Sequence, residues 1–222
     1  FVDDNPDKGE TDIGRFKAEC GDTGPASPQV FAGGTPYVWL NWDAISELDA
    51  QGLRFVTGYA AAVAWSEVGA LEHLDGRQVW HLIEAIYLKQ TGEGFSDRVD
   101  VQTQQLVDAI SSPFLAVARR RVVSALEPVL ERFAEADCER WAAALRTFAC
   151  RVGLAMSGNV RAAVEGLLRF EGWGLPIDMP ETQRQLRRRV ETRELMAFAM
   201  SEEYLQTRYA LGLSGRPSTL PE

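Results

Sequence analysis

The chain has 222 residues, 45% of them apolar and 25% charged, with a formal net charge of −9. With an isoelectric point near 4.9 and a mean hydropathy of −0.18, this is the composition of a chain that buries a core rather than staying disordered. Such acidity speaks against a phosphate-backbone partner, and no run of about 18 uncharged apolar residues offers a membrane-spanning helix.

Residues 1–28 carry Asp3, Asp4, Asp7, Glu10, Asp12, Glu19 and Asp22 against Lys8, Arg15 and Lys17. Gly and Pro punctuate this stretch and no helical period survives, so it reads as an acidic, flexible arm or linker, dispensable for folding. Gln29–Ala32 and Tyr37–Leu40 are two β-rich runs on either side of Gly33-Gly34, the signature of a short hairpin. From there the period is helical. Leu53, Val56, Tyr59, Ala60 and Val63 recur at three and four and predict an Ala-rich, buried helix over 50–68. Val79, Leu82, Ile83, Ile86 and Tyr87 mark a second helix, ended by the 91–94 loop. Further helices are expected over about 98–111, 114–134, 137–156 and 159–170, with Pro128 kinking or restarting the second of these. Trp141, Leu145, Phe148, Val152 and Met156 form the stripe expected to face the core. After a Gly/Pro loop, two short helices are expected over about 180–200 and 202–211, with Ser201 as N-cap and Gly212 as C-terminal cap. The tail 214–222 should fray. The expected architecture is therefore α+β and predominantly helical: a short N-terminal β-hairpin packed on a multi-helix body, one domain over 29–213.

The catalytic inventory is thin. No phosphate-cradling loop and no G-x-S-x-G elbow are present. His73 and His81, the two histidines, lie eight apart, too far along a helix to share a metal; exposed or partner-bonded roles suit them better. Cys20, Cys138 and Cys150 have neither the number nor the spacing of a disulfide framework or zinc knuckle and read as thiols of a reducing, cytoplasmic compartment. The chain opens on Phe1 without a basic n-region or apolar h-region, and is expected to be a piece of a larger multidomain protein. Arg184, Arg187 and Arg188 cluster on a late helix and are candidate contacts for an acidic partner or for the acidic arm. Without interleaved aromatics they do not make a nucleic-acid site. Glu67, Glu84 and Asp108 are carboxylates spread along helices, where exposed charge is ordinary.

Several ordered segments carry a resemblance: 53–59 (LRFVTGY), Pro113-Phe114-Leu115 with Arg119-Arg120-Arg121, Trp141 through 149–154 (ACRVGL), and 198–204 (FAMSEEY) followed by Arg208 and Leu211-Gly212-Leu213. From about 28 to 213 the chain resembles the M48-like, gluzincin-type metallopeptidase domain attached to large bacterial tetratricopeptide-repeat proteins. In active members, as the resemblance implies, H-E-x-x-H holds zinc through two histidines one helical turn apart, and its Glu is the general base. Here that stretch is Tyr59-Ala60-Ala61-Ala62-Val63, and the position of the third ligand, a Glu on a later helix, is Arg146. The resemblance thus implies the fold without the chemistry. Tyr59, Ala60, Val63 and Arg146 are vestigial metal-site positions; no metal, no cofactor and no catalytic activity are expected. The expected function is a non-catalytic protein-interaction or scaffolding domain, bound to a protein partner or to neighbouring domains of its own chain, not to nucleic acid or membrane. The alternative is a helical domain that binds a small molecule or uses carboxylates as an enzyme.

Overall fold

The computed structural model describes residues 11–13, 16–21, 28–31, 37–66, 68–71, 73–94, 99–110, 119–170 and 178–214. The chain is predominantly helical. A four-stranded sheet contains β1 (Thr11–Ile13), β2 (Phe16–Gly21), β3 (Gln29–Phe31) and β4 (Tyr37–Asn41) in the order β1-β2-β4-β3. β1 and β2 are antiparallel, β2 and β4 parallel, and β3 and β4 antiparallel, with Val30 opposite Val38. The expected flexible arm is therefore corrected in part: two pieces of 1–28 are strands. Backbone pairing alone explains the difference, because a strand needs no helical period, and Lys17–Gly21 pairs along the whole of Tyr37–Asn41. Residues 1–10, 14–15, 22–27 and 32–36, and 215–222 of the tail expected to fray, lie outside the described residues.

Ten α-helices follow among the described residues: α1 (Trp42–Ile45), α2 (Ala50–Trp65), α3 (Gly76–Thr91), α4 (Val101–Ala109), α5 (Arg119–Arg132), α6 (Glu135–Ser157), α7 (Val160–Phe170), α8 (Pro180–Arg188), α9 (Val190–Ala199) and α10 (Glu202–Ala210). Their starts follow local chemistry. Asp49 caps α2 by accepting from Gly52 N–H at 2.7 Å. Asp75 and Gln78 form a reciprocal capping box on α3. Ser201 caps α10 as expected, accepting from Tyr204 N–H at 3.2 Å. α3 ends on Gly92 at φ 80°, the left-handed cap that glycine adopts without strain. Pro128 lies inside α5, which continues through it rather than restarting.

By its internal contacts the chain forms two units, 1–70 with 145–222, and 71–144. The core of the first unit is built on α2. Phe55, Val63, Leu154 and Ala163 are fully buried there, with Tyr59, Ala149, Cys150, Leu195 and Phe198 around them. Gly58 and Gly153 mark the crossing of α2 with the C-terminal half of α6. A Cβ on Gly58 would lie 3.0 Å from the Gly153 Cα, and one on Gly153 would lie 2.8 Å from the Phe55 carbonyl oxygen. The seam of α6 is consequently lined by Leu145, Ala149, Cys150, Gly153 and Leu154, all buried.

This corrects the expected apolar stripe in part: Leu145 is buried and Met156 partly buried. Trp141 and Phe148 are exposed (39% and 40%), and Val152 is only partly buried. The reason is steric: helices that approach this closely take small residues at the seam and leave the large rings at its margin. Phe148 instead meets the exposed Trp65, ring centroids 6.2 Å apart.

A second correction concerns 180–200, which is two helices with Arg189 extended between them at ψ 133°. The break lets Leu186 pack with Val164 and Leu168 while Leu195 and Phe198 join the main core. The C-terminal turn is tied down by Arg208, which donates to the carbonyls of Ala155 at 2.7 Å and Leu213 at 2.9 Å.

The second unit holds α3, α4, α5 and the start of α6. Gly76 lies so close to the Cys138–Glu139 backbone that any Cβ would overlap it. Arg77 adds a backbone N–H bond to Glu139 at 3.2 Å, fixing the α3 N-terminus to α6.

Candidate functional site

α2 carries into the core the positions expected to be vestigial metal-site residues. Tyr59, Ala60 and Val63 are 4%, 3% and 0% exposed. The Tyr59 ring packs against Phe170 at 5.1 Å and Phe55 at 6.2 Å. Arg146, on α6, is half-buried. These residues do not fit zinc. Val63 and Ala60 have no donor atom, the phenol of Tyr59 is wedged between aromatic rings, and a guanidinium presents N–H groups rather than lone pairs. Among the described residues no group of three or more His, Cys, Asp or Glu is placed to hold a metal ion, and no helix is long and apolar enough to cross a membrane.

His81 sits elsewhere, in the second unit, in a buried polar chain that links α3 to α4. The Arg77 Nε–H donates to His81 Nε2 at 3.3 Å, which leaves the ring proton on Nδ1. That proton faces Thr103 Oγ1 at 2.9 Å, and the Thr103 hydroxyl donates to Glu84 Oε2 at 3.3 Å. Every bond thus has one donor and one acceptor, from the Arg77 cation to the Glu84 carboxylate. His81, Glu84 and Thr103 are 5%, 6% and 1% exposed. The threonine lies between the histidine and the acid, and its proton is committed to Glu84, so the order differs from that of a nucleophile–base–acid triad. The chain satisfies buried polar groups and pins α4 on α3. His73 is exposed.

The arginines of α8 surround a third feature. Pro at the first turn starts α8 and its period places Leu186 inward, which turns the arginines out. Arg184 is occupied by Glu181 at 2.7 Å. Arg187 and Arg188 are exposed, as is Arg193 on α9, and none of the three side chains has an ion-pair or hydrogen-bond partner among the described residues. The expected trio is therefore divided: Arg187 and Arg188 are available to a partner and Arg184 is paired within its own helix.

Beside them lies a cavity of about 550 Å³ between α7, α8 and α9. Val160, Val164, Leu186 and Met196 give it an apolar lining; Arg161, Arg187 and Arg193 stand in its wall with Asp178, Gln183 and Thr192. Arg161 is held by Glu165 and Asp178, each at 3.0 Å; hydrogen bonds to Glu165 and then Asp178 raise its already high pKa. Arg187 and Arg193 have no such neutralisation. Sequence reading found Arg187 but missed Arg193, Thr192 and the apolar floor. The available signal was the pair Val160 and Val164, one turn apart on a helix facing a second short helix.

Comparison with protein-family models, with curated proteins and with solved structures gave no match.

Proposed function

We propose that this chain is a non-catalytic protein-interaction domain that presents the arginine face of α8 and α9 to an acidic partner. The observation that carries the reading is that Arg187, Arg188 and Arg193 stand exposed with no carboxylate partner among the described residues, in a chain whose net charge is −9. An acidic protein that nevertheless leaves three neighbouring cations uncompensated has a local positive field on that face, and such a field steers an acidic segment toward it.

Kinship with the M48-like domains of bacterial tetratricopeptide-repeat proteins is part of this proposal, and makes the natural partner either another protein or a neighbouring domain. It is supported by the placement of Tyr59 and Val63 on one buried helix that crosses the helix bearing Arg146. The antiparallel pairing of Gln29–Phe31 with Tyr37–Asn41 supports reading 28–41 as a hairpin packed on the helices, with Val38 buried at 1%. Buried cysteines at 138 and 150, neither of them in a disulfide, support a cytoplasmic setting.

The experiment is fluorescence anisotropy with a labelled peptide of alternating Glu and Leu. The expected result is saturable binding that weakens with salt and falls about tenfold or more in R187E/R188E, two exposed changes that spare the core. Equal binding of a Lys/Leu peptide, or no loss in the double variant, would refute the reading. The non-catalytic half is checked separately: protein purified without chelator or His-tag should carry zinc far below stoichiometry.

A further inference from the structure

We infer that the cavity between α7, α8 and α9 is a binding site for a small amphipathic carboxylate, a molecule with an aliphatic body and an anionic head. The site goes beyond the protein-binding face, because Arg188, which belongs to that face, does not line it.

The volume of about 550 Å³ lies within the range of small-molecule sites, roughly 300–1,000 Å³. Val160, Val164, Leu186 and Met196 line its apolar part, and Val164 and Leu186 are themselves buried at 3% and 7%. An aliphatic chain seated there would replace water against hydrocarbon, which is favourable in proportion to the area covered. The cationic part is Arg187 and Arg193, neither of which has a carboxylate within ion-pair distance among the described residues. The third observation is internal. Thr192 lines the cavity, is 2% exposed, and its Oγ1 is buried without a hydrogen-bond partner. A buried hydroxyl left unpaired is costly, and a ligand that supplies an acceptor recovers that cost. Arg161 does not compete for the head, since Glu165 and Asp178 already occupy it. A cationic ligand would meet two unneutralised guanidinium groups, and a purely polar anion would leave the apolar lining wet. The carboxylate with a tail satisfies both parts.

The test is isothermal titration of the full chain with decanoate below its micellar concentration, beside decanol, decylammonium and acetate. Decanoate should bind saturably and about tenfold or more tighter than decanol, while acetate and decylammonium give no saturable heat. R187Q/R193Q should reduce decanoate affinity to that of decanol. M196W, a change at a half-exposed position that fills the cavity, should abolish both. T192V should weaken decanoate by a few-fold and leave the thermal midpoint of the free protein unchanged or higher, because it removes a hydroxyl that has no partner. R188Q should leave decanoate unaffected while weakening the acidic peptide, so the two sites fail separately. Decanoate binding that survives M196W, or that equals decanol in the unmodified chain, overturns the inference.

Discussion

At the scale of single residues, the tightest constraint is the crossing of α2 with α6. Gly153 admits no side chain: a Cβ there would lie 2.8 Å from the Phe55 carbonyl and from its ring, and Phe55 is fully buried. Gly153→Ala gains about 1 kcal/mol of helix propensity but overpacks a site whose neighbour is backbone, at a cost of about 1–3 kcal/mol or more. We expect a net loss of stability in urea denaturation; a more stable protein would mean that the helices are further apart. Phe148 behaves oppositely. At 40% exposure, with Trp65 as its ring neighbour, Phe148→Ala should cost about 1 kcal/mol, the worth of one aromatic pair, not the larger loss of a core ring. In the second unit, Thr103→Val preserves volume but leaves the His81 Nδ1–H without its acceptor and Glu84 without the threonine proton. That should cost about 2–3 kcal/mol in the same measurement. A change below about 0.5 kcal/mol, the scatter of surface substitutions, would show that the chain of bonds is not formed in solution.

At the scale of elements, helix existence was legible and helix faces were not. The spacing of Leu53, Val56, Tyr59 and Val63 locates α2, and Ser201 locates the start of α10, because periodicity and capping are local properties of the chain. The burial of α6 is set by what it packs against. Its exposed rings, Trp141 and Phe148, mark the wrong stripe, since at the closest approach to the crossing helix only Gly153 fits, with Ala149, Cys150 and Leu154 beside it. Likewise Arg189 carries no breaker signal; two different cores, one around Leu186 and one around Leu195, split the helix there. The arginine cluster was legible as charge, while the cavity beside it depends on the meeting of three helices. α6 also carries the clearest titration. Asp137, at its third position, accepts from the Ala134 N–H at 2.8 Å and pairs with Arg140, and these bonds, the backbone one foremost, lower its pKa from the ordinary 3.8. A depressed folded pKa stabilises the protein above the ordinary carboxylate value, and that contribution is lost as pH falls through the lowered one. Asp137→Asn should therefore destabilise at neutral pH, and the gap between variant and wild type should close as the pH drops below about 4. A gap independent of pH would show that the carboxylate charge contributes nothing to the cap.

At the scale of the molecule, the acidity of the chain and the cationic face of α8 and α9 belong together. A net charge of −9 disfavours unspecific association with other acidic surfaces, so association with an acidic partner is expected to concentrate on the face that carries Arg187, Arg188 and Arg193. Tyr59 and Val63 lie instead in the core of the first unit with Phe55 and Leu154, and the Tyr59 ring packs on Phe170. The most direct measurement of this account is hydrogen exchange by mass spectrometry with and without the Glu/Leu peptide. Added protection is expected only over 180–199 and the facing residues 160–165. Protection that falls instead on α2 or on the exposed Trp65–Phe148 margin, with 180–199 unchanged, would contradict it.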